Sequence, residues 1–252
     1  MLNALFAAKR KGYAMLRAVI FDMDGTLLDS EIIHYIVISE ILKRELGYDQ
    51  SMDEYMKYCG IPDQQMWPMI LDELDREAVM ALARRWGMLS NEALSAELER
   101  LHWAEYDIYI EKNGVKAFPG VRELMEALRA EKIRIAVATG SLVRIVRQNL
   151  KLLGIEEFVE EIATSEDCEN GKPAPDVFWL AAEKLGVAPV DCLVVEDAGN
   201  GLQGALSAGM ACAGFDGSEL PADVALAPIV FSDYRKVKPA DMREWHRRQK
   251  GS

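Results

Sequence analysis

Val19-Ile20-Phe21-Asp22-Met23-Asp24-Gly25-Thr26 decides how the chain is read. An apolar, β-branched run ends in two carboxylates one residue apart. On an extended segment, residues i and i+2 point to the same side. Like charges so close together are costly to bury unless a cation lies between them. Gly25 and Thr26 then allow a sharp turn whose backbone N–H groups can face an anion. The segment therefore suits chemistry on a phosphate; taken alone, it also reads as an acidic turn after a buried strand.

Three later segments bear on that choice. Ile133–Ala138 is a second apolar run and ends in Thr139-Gly140-Ser141. Gly171-Lys172-Pro173-Ala174-Pro175-Asp176 presents a lysine in a proline-bracketed loop, and Leu193-Val194-Val195 ends in Glu196-Asp197. Separately, these read as a turn, a solvated loop and a helix cap. Together they place a hydroxyl, an ammonium and a carboxylate pair beyond strand or loop ends, where open α/β sheets bind ligands.

The ordered set Asp22-x-Asp24-Gly25-Thr26, Thr139, Lys172 and Glu196-Asp197 resembles the four motifs of the haloacid dehalogenase superfamily. Within it, the chain is similar to the helical-cap phosphatases and β-phosphoglucomutase-like enzymes. The likeness runs from about Leu16 to Gly217. It implies that Asp22 attacks phosphorus and forms an aspartyl-phosphate, a role open to an oriented carboxylate. It implies Asp24 as general acid and base. Thr139, with Gly140 and Ser141, would hold phosphate oxygens, beside the Gly25-Thr26 turn. Lys172 would neutralise developing charge and position Asp22. Asp22, the Asp24 backbone carbonyl, Glu196 and Asp197 would bind Mg²⁺, which prefers hard oxygen ligands. Dehalogenases and phosphonate-cleaving relatives lack an acid at the position of Asp24, so its presence favours phosphate esters.

The hydrophobic pattern gives the organisation. A strand at Arg17–Phe21 is followed by Ser30, a candidate N-cap, and helical spacing up to Gly47. Helical patterns continue through Met66–Leu74, Glu77–Trp86 and Asn91–Ile110. From Phe118 onward, helices alternate with the short runs Ile133–Ala138, Glu160–Ala163, Leu193–Val195 and Ala211–Phe215. That alternation predicts an α/β, Rossmann-like core with a parallel sheet and helices on both faces. The expected division is an N-terminal extension at 1–14, a core from 15–28 and 115–252, and an all-helical cap domain at 29–114. Met15 is an alternative start, and the basic tail from Arg235 to Lys250 reads as a solvated last helix or frayed end.

The first two motifs lie 117 residues apart (139 − 22), far beyond the 30 or so of a bare βαβ unit. The helical insert accounts for the excess, and its two linkers would let it close over the strand ends and exclude water. It carries 18 Asp and Glu against 8 Lys and Arg, which favours a substrate with one phosphate and a neutral or hydroxylated body. His34 matches a site-facing cap histidine of the mutases, and equally reads as an ordinary helix residue at an interface. The mutases also carry a cap-loop arginine. Here the loop reads Cys59-Gly60-Ile61-Pro62-Asp63, which favours a phosphatase over a phosphosugar mutase, and intact Asp22, Asp24, Lys172 and Asp197 speak against a non-catalytic phosphate-binding module.

Composition bounds the rest. With 29 Lys and Arg against 41 Asp and Glu, the net charge is −12, which argues against nucleic-acid binding. No apolar stretch reaches the roughly 20 residues of a membrane span. The four cysteines lack C-x-x-C spacing and read as reduced thiols of a cytoplasmic protein. The expected partner is a small phosphorylated metabolite, and the expected state is a monomer.

Overall fold

Four consecutive apolar residues, Ala18–Phe21, form a strand whose side chains are all buried. A strand apolar on both faces belongs in the middle of a sheet covered on both sides, and that is its position here. The computed structural model describes residues 14–58, 61, 63–218 and 222–251. The expectations for the N-terminal extension up to residue 13, and for Cys59, Gly60 and Pro62 of the cap loop, lie outside the described residues. By internal contacts the chain divides into two compact units, one from Met1–Asp29 with Lys116–Ser252, the other Ser30–Val115.

The first unit holds a six-stranded sheet in the order β3-β2-β1-β4-β5-β6. Its strands are β1 (Ala18–Phe21), β2 (Arg134–Thr139), β3 (Glu161–Thr164), β4 (Cys192–Glu196), β5 (Ala211–Phe215) and β6 (Val230–Phe231). Every pairing is parallel. This is the doubly wound order in which ligands bind at the strand carboxyl ends where the order reverses. That reversal lies at β1, flanked by β2 and β4. Phe21 is in register with Val137 on one side and Val195 on the other, so Asp22, Thr139 and Glu196 emerge at the same rim.

The helices of this unit are α6 (Val121–Ala130), α7 (Val143–Leu152), α8 (Asp176–Leu185), α9 (Gly199–Ser207) and α10 (Pro239–Lys250). On α6, the buried residues Val121, Leu124, Met125 and Leu128 follow an i, i+3, i+4, i+7 stripe. One core layer joins Ile20 and Val194 of the sheet to Phe178 and Leu185 of α8 and Leu202 and Ala205 of α9. The C-terminal tail forms a last helix, as one of the two sequence expectations has it, but the helix is packed against the sheet rather than wholly solvated. Met242 and His246 of α10 are buried, and Gln249 bonds both the N–H and the carbonyl of Cys212 in β5. The basic charges of its last turn, Arg247, Arg248 and Lys250, masked a helix anchored by only a few inward residues.

The second unit is all-helical in its described residues: α1 (Glu31–Leu46), α2 (Met52–Tyr55), α3 (Asp63–Glu73), α4 (Arg76–Trp86) and α5 (Asn91–Asn113). Asp75 and Ser90 cap α4 and α5 by accepting from backbone N–H groups three residues on. Ser30 immediately precedes α1 but makes no side-chain capping bond. α5 packs against α1 and α3, burying Leu94, Leu98, His102, Tyr106 and Ile110. Trp67 of α3 is fully buried.

Candidate active site

Asp22 follows β1 directly, and its backbone N–H donates to the Val195 carbonyl at 2.9 Å. The chain then turns within Met23–Leu28, with the Leu27 N–H bonded to the Met23 carbonyl at 2.8 Å. Gly25 adopts φ 78°, and a Cβ there would stand 2.1 Å from Asp197 Oδ2. Both backbone conformation and space therefore demand glycine. The neighbouring Thr26 hydroxyl donates to Asp197 Oδ1 at 3.0 Å, which ties the turn after β1 to the loop after β4.

At the end of β2, Thr139 is buried and its Oγ1 accepts from the Ser141 N–H at 3.1 Å. The Ser141 hydroxyl donates to Asp24 Oδ2 at 2.5 Å. The turn after β3 braces this loop from outside: Ser165 Oγ donates to the Gly140 carbonyl at 2.7 Å, and Glu166 Oε2 accepts from the Val143 N–H at 2.7 Å. Neither brace was singled out in the sequence. The signal that could have found them is the parallel pairing of β2 with β3, which puts Thr164 beside Thr139 and the following residues at the same rim.

Lys172 reaches the centre from the loop before α8. Its Nζ donates to Asp22 Oδ1 at 2.6 Å and to Glu196 Oε1 at 2.7 Å. Glu196 is 1% exposed, and its second oxygen accepts the N–H groups of Asp197 (2.9 Å) and Ala198 (2.8 Å). Burial works against the Lys172 ammonium, but the Asp22 and Glu196 charges outweigh it and hold its pKa above the ordinary lysine value. For Asp22 the balance is different. Desolvation dominates, Glu196 and Asp24 add to it, and Lys172 opposes them, so its pKa is held well above the usual carboxylate range. Asp176 is the first residue of α8 and accepts from Asn170 Nδ2 at 3.3 Å.

Asp22, Glu196 and Asp197 can each offer one carboxylate oxygen so that all lie within 4.8 Å of one another. The residues fit a divalent cation: the donors are hard oxygens, and among the described residues the Lys172 ammonium bonded to the cluster is outnumbered by its carboxylates. The missing Cβ atoms of Gly25 and Gly201 make room for the Asp197 and Glu196 carboxylates.

The structure thus brings Asp22, Asp24, Gly25, Thr26, Thr139, Gly140, Ser141, Lys172, Glu196 and Asp197 to one rim of the sheet. His34 belongs to the helical unit, half-buried on α1. Its Nδ1 is 2.9 Å from His102 Nε2 and its ring stacks on Tyr106. Among the described residues Cys168, Cys192 and Cys212 are free thiols, and no helix is long and apolar enough to cross a membrane.

A phosphorylated carbohydrates phosphatase of Thermotoga maritima is 28% identical over 195 residues, covering 77% of this chain and 82% of that protein. A β-phosphoglucomutase of Bacillus subtilis is 30% identical over 201 residues, covering 79% and 83% respectively. The crystal structure of the protein CbbY from Rhodobacter sphaeroides in complex with xylulose-(1,5)-bisphosphate superposes with a TM-score of 0.74 at 22% identity. That match covers 90% of this chain and 99% of the other. The family model for haloacid dehalogenase-like hydrolases matches residues 19–215, and the chain belongs to that family.

Proposed function

We propose that this protein is a Mg²⁺-dependent phosphatase acting on a small phosphate monoester, a sugar phosphate or similarly hydroxylated metabolite, in the cytoplasm and as a monomer. The observation that carries the reading is the Lys172 ammonium bridging Asp22 and Glu196 within a cluster of three carboxylates able to hold a cation. A site that only bound phosphate would not need a buried, oriented carboxylate at its centre.

In this reading an Asp22 oxygen attacks phosphorus and the ester P–O bond breaks, forming an aspartyl-phosphate. Asp24 gives its proton to the departing alcohol oxygen, then takes one from the water that hydrolyses the intermediate. Thr139 and the backbone of Gly140, Ser141, Gly25 and Thr26 orient the phosphoryl oxygens. Lys172 fixes Asp22 and balances the charge that develops on those oxygens. Bound at Asp22, Glu196, Asp197 and the Asp24 carbonyl, Mg²⁺ would supply charge neutralisation at the phosphoryl group. The insert at 29–114 selects the substrate, and His34 is its candidate contact.

The β-phosphoglucomutase relative supports a second reading, phosphosugar mutase, which the absence of an arginine from residues 59–63 disfavours. A phosphate-release screen over sugar phosphates, phosphoglycolate and nucleotides, with Mg²⁺ or with chelator, separates the two. A phosphatase releases phosphate only with metal, whereas a mutase interconverts sugar phosphates from a bisphosphate primer without net release. Asp22→Asn abolishes turnover with the fold intact; substantial remaining activity would refute Asp22 as nucleophile.

A further inference from the structure

A serine hydroxyl has one proton to donate. That of Ser141 is directed at Asp24 Oδ2, 2.5 Å away, a length suited to an O–H donor on a carboxylate oxygen. Ser141 is itself held by the loop around it: its N–H bonds Thr139 Oγ1, the Gly140 carbonyl accepts from Ser165, and the Val143 N–H donates to Glu166. The hydroxyl therefore projects from a segment braced on both sides.

We infer that Ser141 is the positioning residue of the acid–base group rather than a phosphate ligand through its side chain: it fixes the Asp24 carboxyl and determines which of its oxygens carries the transferable proton. Because Oδ2 already accepts the Ser141 proton, the acid form of Asp24 carries its own proton on Oδ1. When the ester P–O bond breaks and Asp22 bonds to phosphorus, that Oδ1 proton passes to the departing oxygen. Asp24 is left as a carboxylate, which recovers a proton from the water that cleaves the aspartyl-phosphate. Ser141 keeps its hydroxyl proton throughout. This inference rests on the reading of Asp24 as general acid given above.

The dependence of kcat/KM on leaving group tests it. kcat/KM reports the steps up to transfer of the phosphoryl group, where leaving-group protonation matters. An alkyl phosphate such as a sugar phosphate must have its leaving oxygen protonated, whereas p-nitrophenyl phosphate departs as a stable phenolate. Ser141→Ala is expected to lower kcat/KM for the alkyl ester about tenfold more than for the aryl ester. Ser141→Thr, which keeps the hydroxyl, should restore most of the ratio. Asp24→Asn should show the same selective loss, larger. If Asp24→Asn is selective while Ser141→Ala lowers both esters equally, Ser141 is a phosphate ligand and the inference is overturned with the acid–base assignment intact. If Asp24→Asn is itself unselective, the acid–base assignment fails and the inference falls with it.

Discussion

The Tyr234 hydroxyl donates to the Thr26 carbonyl at 2.9 Å, and the Thr26 side chain in turn donates to Asp197. A fully buried tyrosine close to the chain's C-terminal helix thus pins the turn that follows β1, on the far side of the sequence. Burial, with the Asp197 and Asp22 charges, raises the Tyr234 pKa well above its usual value, so the phenol remains a donor. Removing an outer partner of a metal ligand costs roughly 10–100-fold in metal affinity. Thr26→Val should therefore weaken Mg²⁺ binding about tenfold. Tyr234→Phe, one bond further out, should weaken it less and cost about 1 kcal/mol of stability. Calorimetric titration with Mg²⁺ alone checks both, and unchanged affinity in Thr26→Val would remove Asp197 from the metal site.

Gly201 faces Glu196 so closely that a Cβ would lie 1.6 Å from Oε1 and 2.0 Å from Cδ. Glu196 cannot swing away cheaply, since one oxygen holds Lys172 and the other holds two backbone N–H groups. Gly201→Ala should displace the carboxylate and with it Lys172. A displacement of about 1 Å in such a constellation costs on the order of 100-fold in rate. Gln203→Ala, on the exposed face of the same helix, is the matched control and should retain full kcat/KM. Equal activity in both variants would show that Glu196 placement does not matter to turnover.

Lys172→Met leaves the Asp22 and Glu196 carboxylates facing each other without the ammonium that bridges them. Breaking a buried ion pair from one side costs roughly 3–5 kcal/mol. Urea unfolding in chelator should show a loss of that order, and Mg²⁺ should restore more stability to the variant than to the wild type. An unfolding midpoint unmoved in chelator would mean that the two carboxylates are not held as charged groups.

Legibility in the sequence followed the range of the interactions. Val19–Phe21 with Asp22 and Asp24, and Leu193–Val195 with Glu196, are local signals in which an apolar run and its polar stop fall within a few residues. The parallel core and its strands β1 to β5 could be read for the same reason. Long-range packing could not. Tyr234 reaches Thr26 across 208 residues, and nothing near Tyr234 in the sequence marks it. β6 has only two residues, too few for a period-2 pattern. Ser165 and Glu166 look like a polar turn until β3 pairs with β2. The residue types around Ser141 pointed to a phosphate cradle, but which partner its hydroxyl takes is a matter of side-chain geometry.

His102 is fully buried on α5, its Nε2 2.9 Å from His34 Nδ1 and its ring stacked on Trp103. Burial, and then the charge of His34, hold its pKa well below the ordinary 6.5. The sign follows directly. Below pH 6.5 the unfolded chain takes up a proton that the folded chain refuses, so this histidine's contribution is intact above that pH and is lost as pH falls. Each pH unit below 6.5 costs about 1.4 kcal/mol until the folded-state pKa is reached. His102→Gln keeps an amide that can face His34 and cannot titrate. Although other groups also change charge in this range, the difference between wild type and variant isolates His102. Urea midpoints from pH 7.5 to 5 should fall more steeply for the wild type than for His102→Gln. Parallel pH dependences would mean that His102 takes up its proton as readily in the folded chain as in the unfolded one.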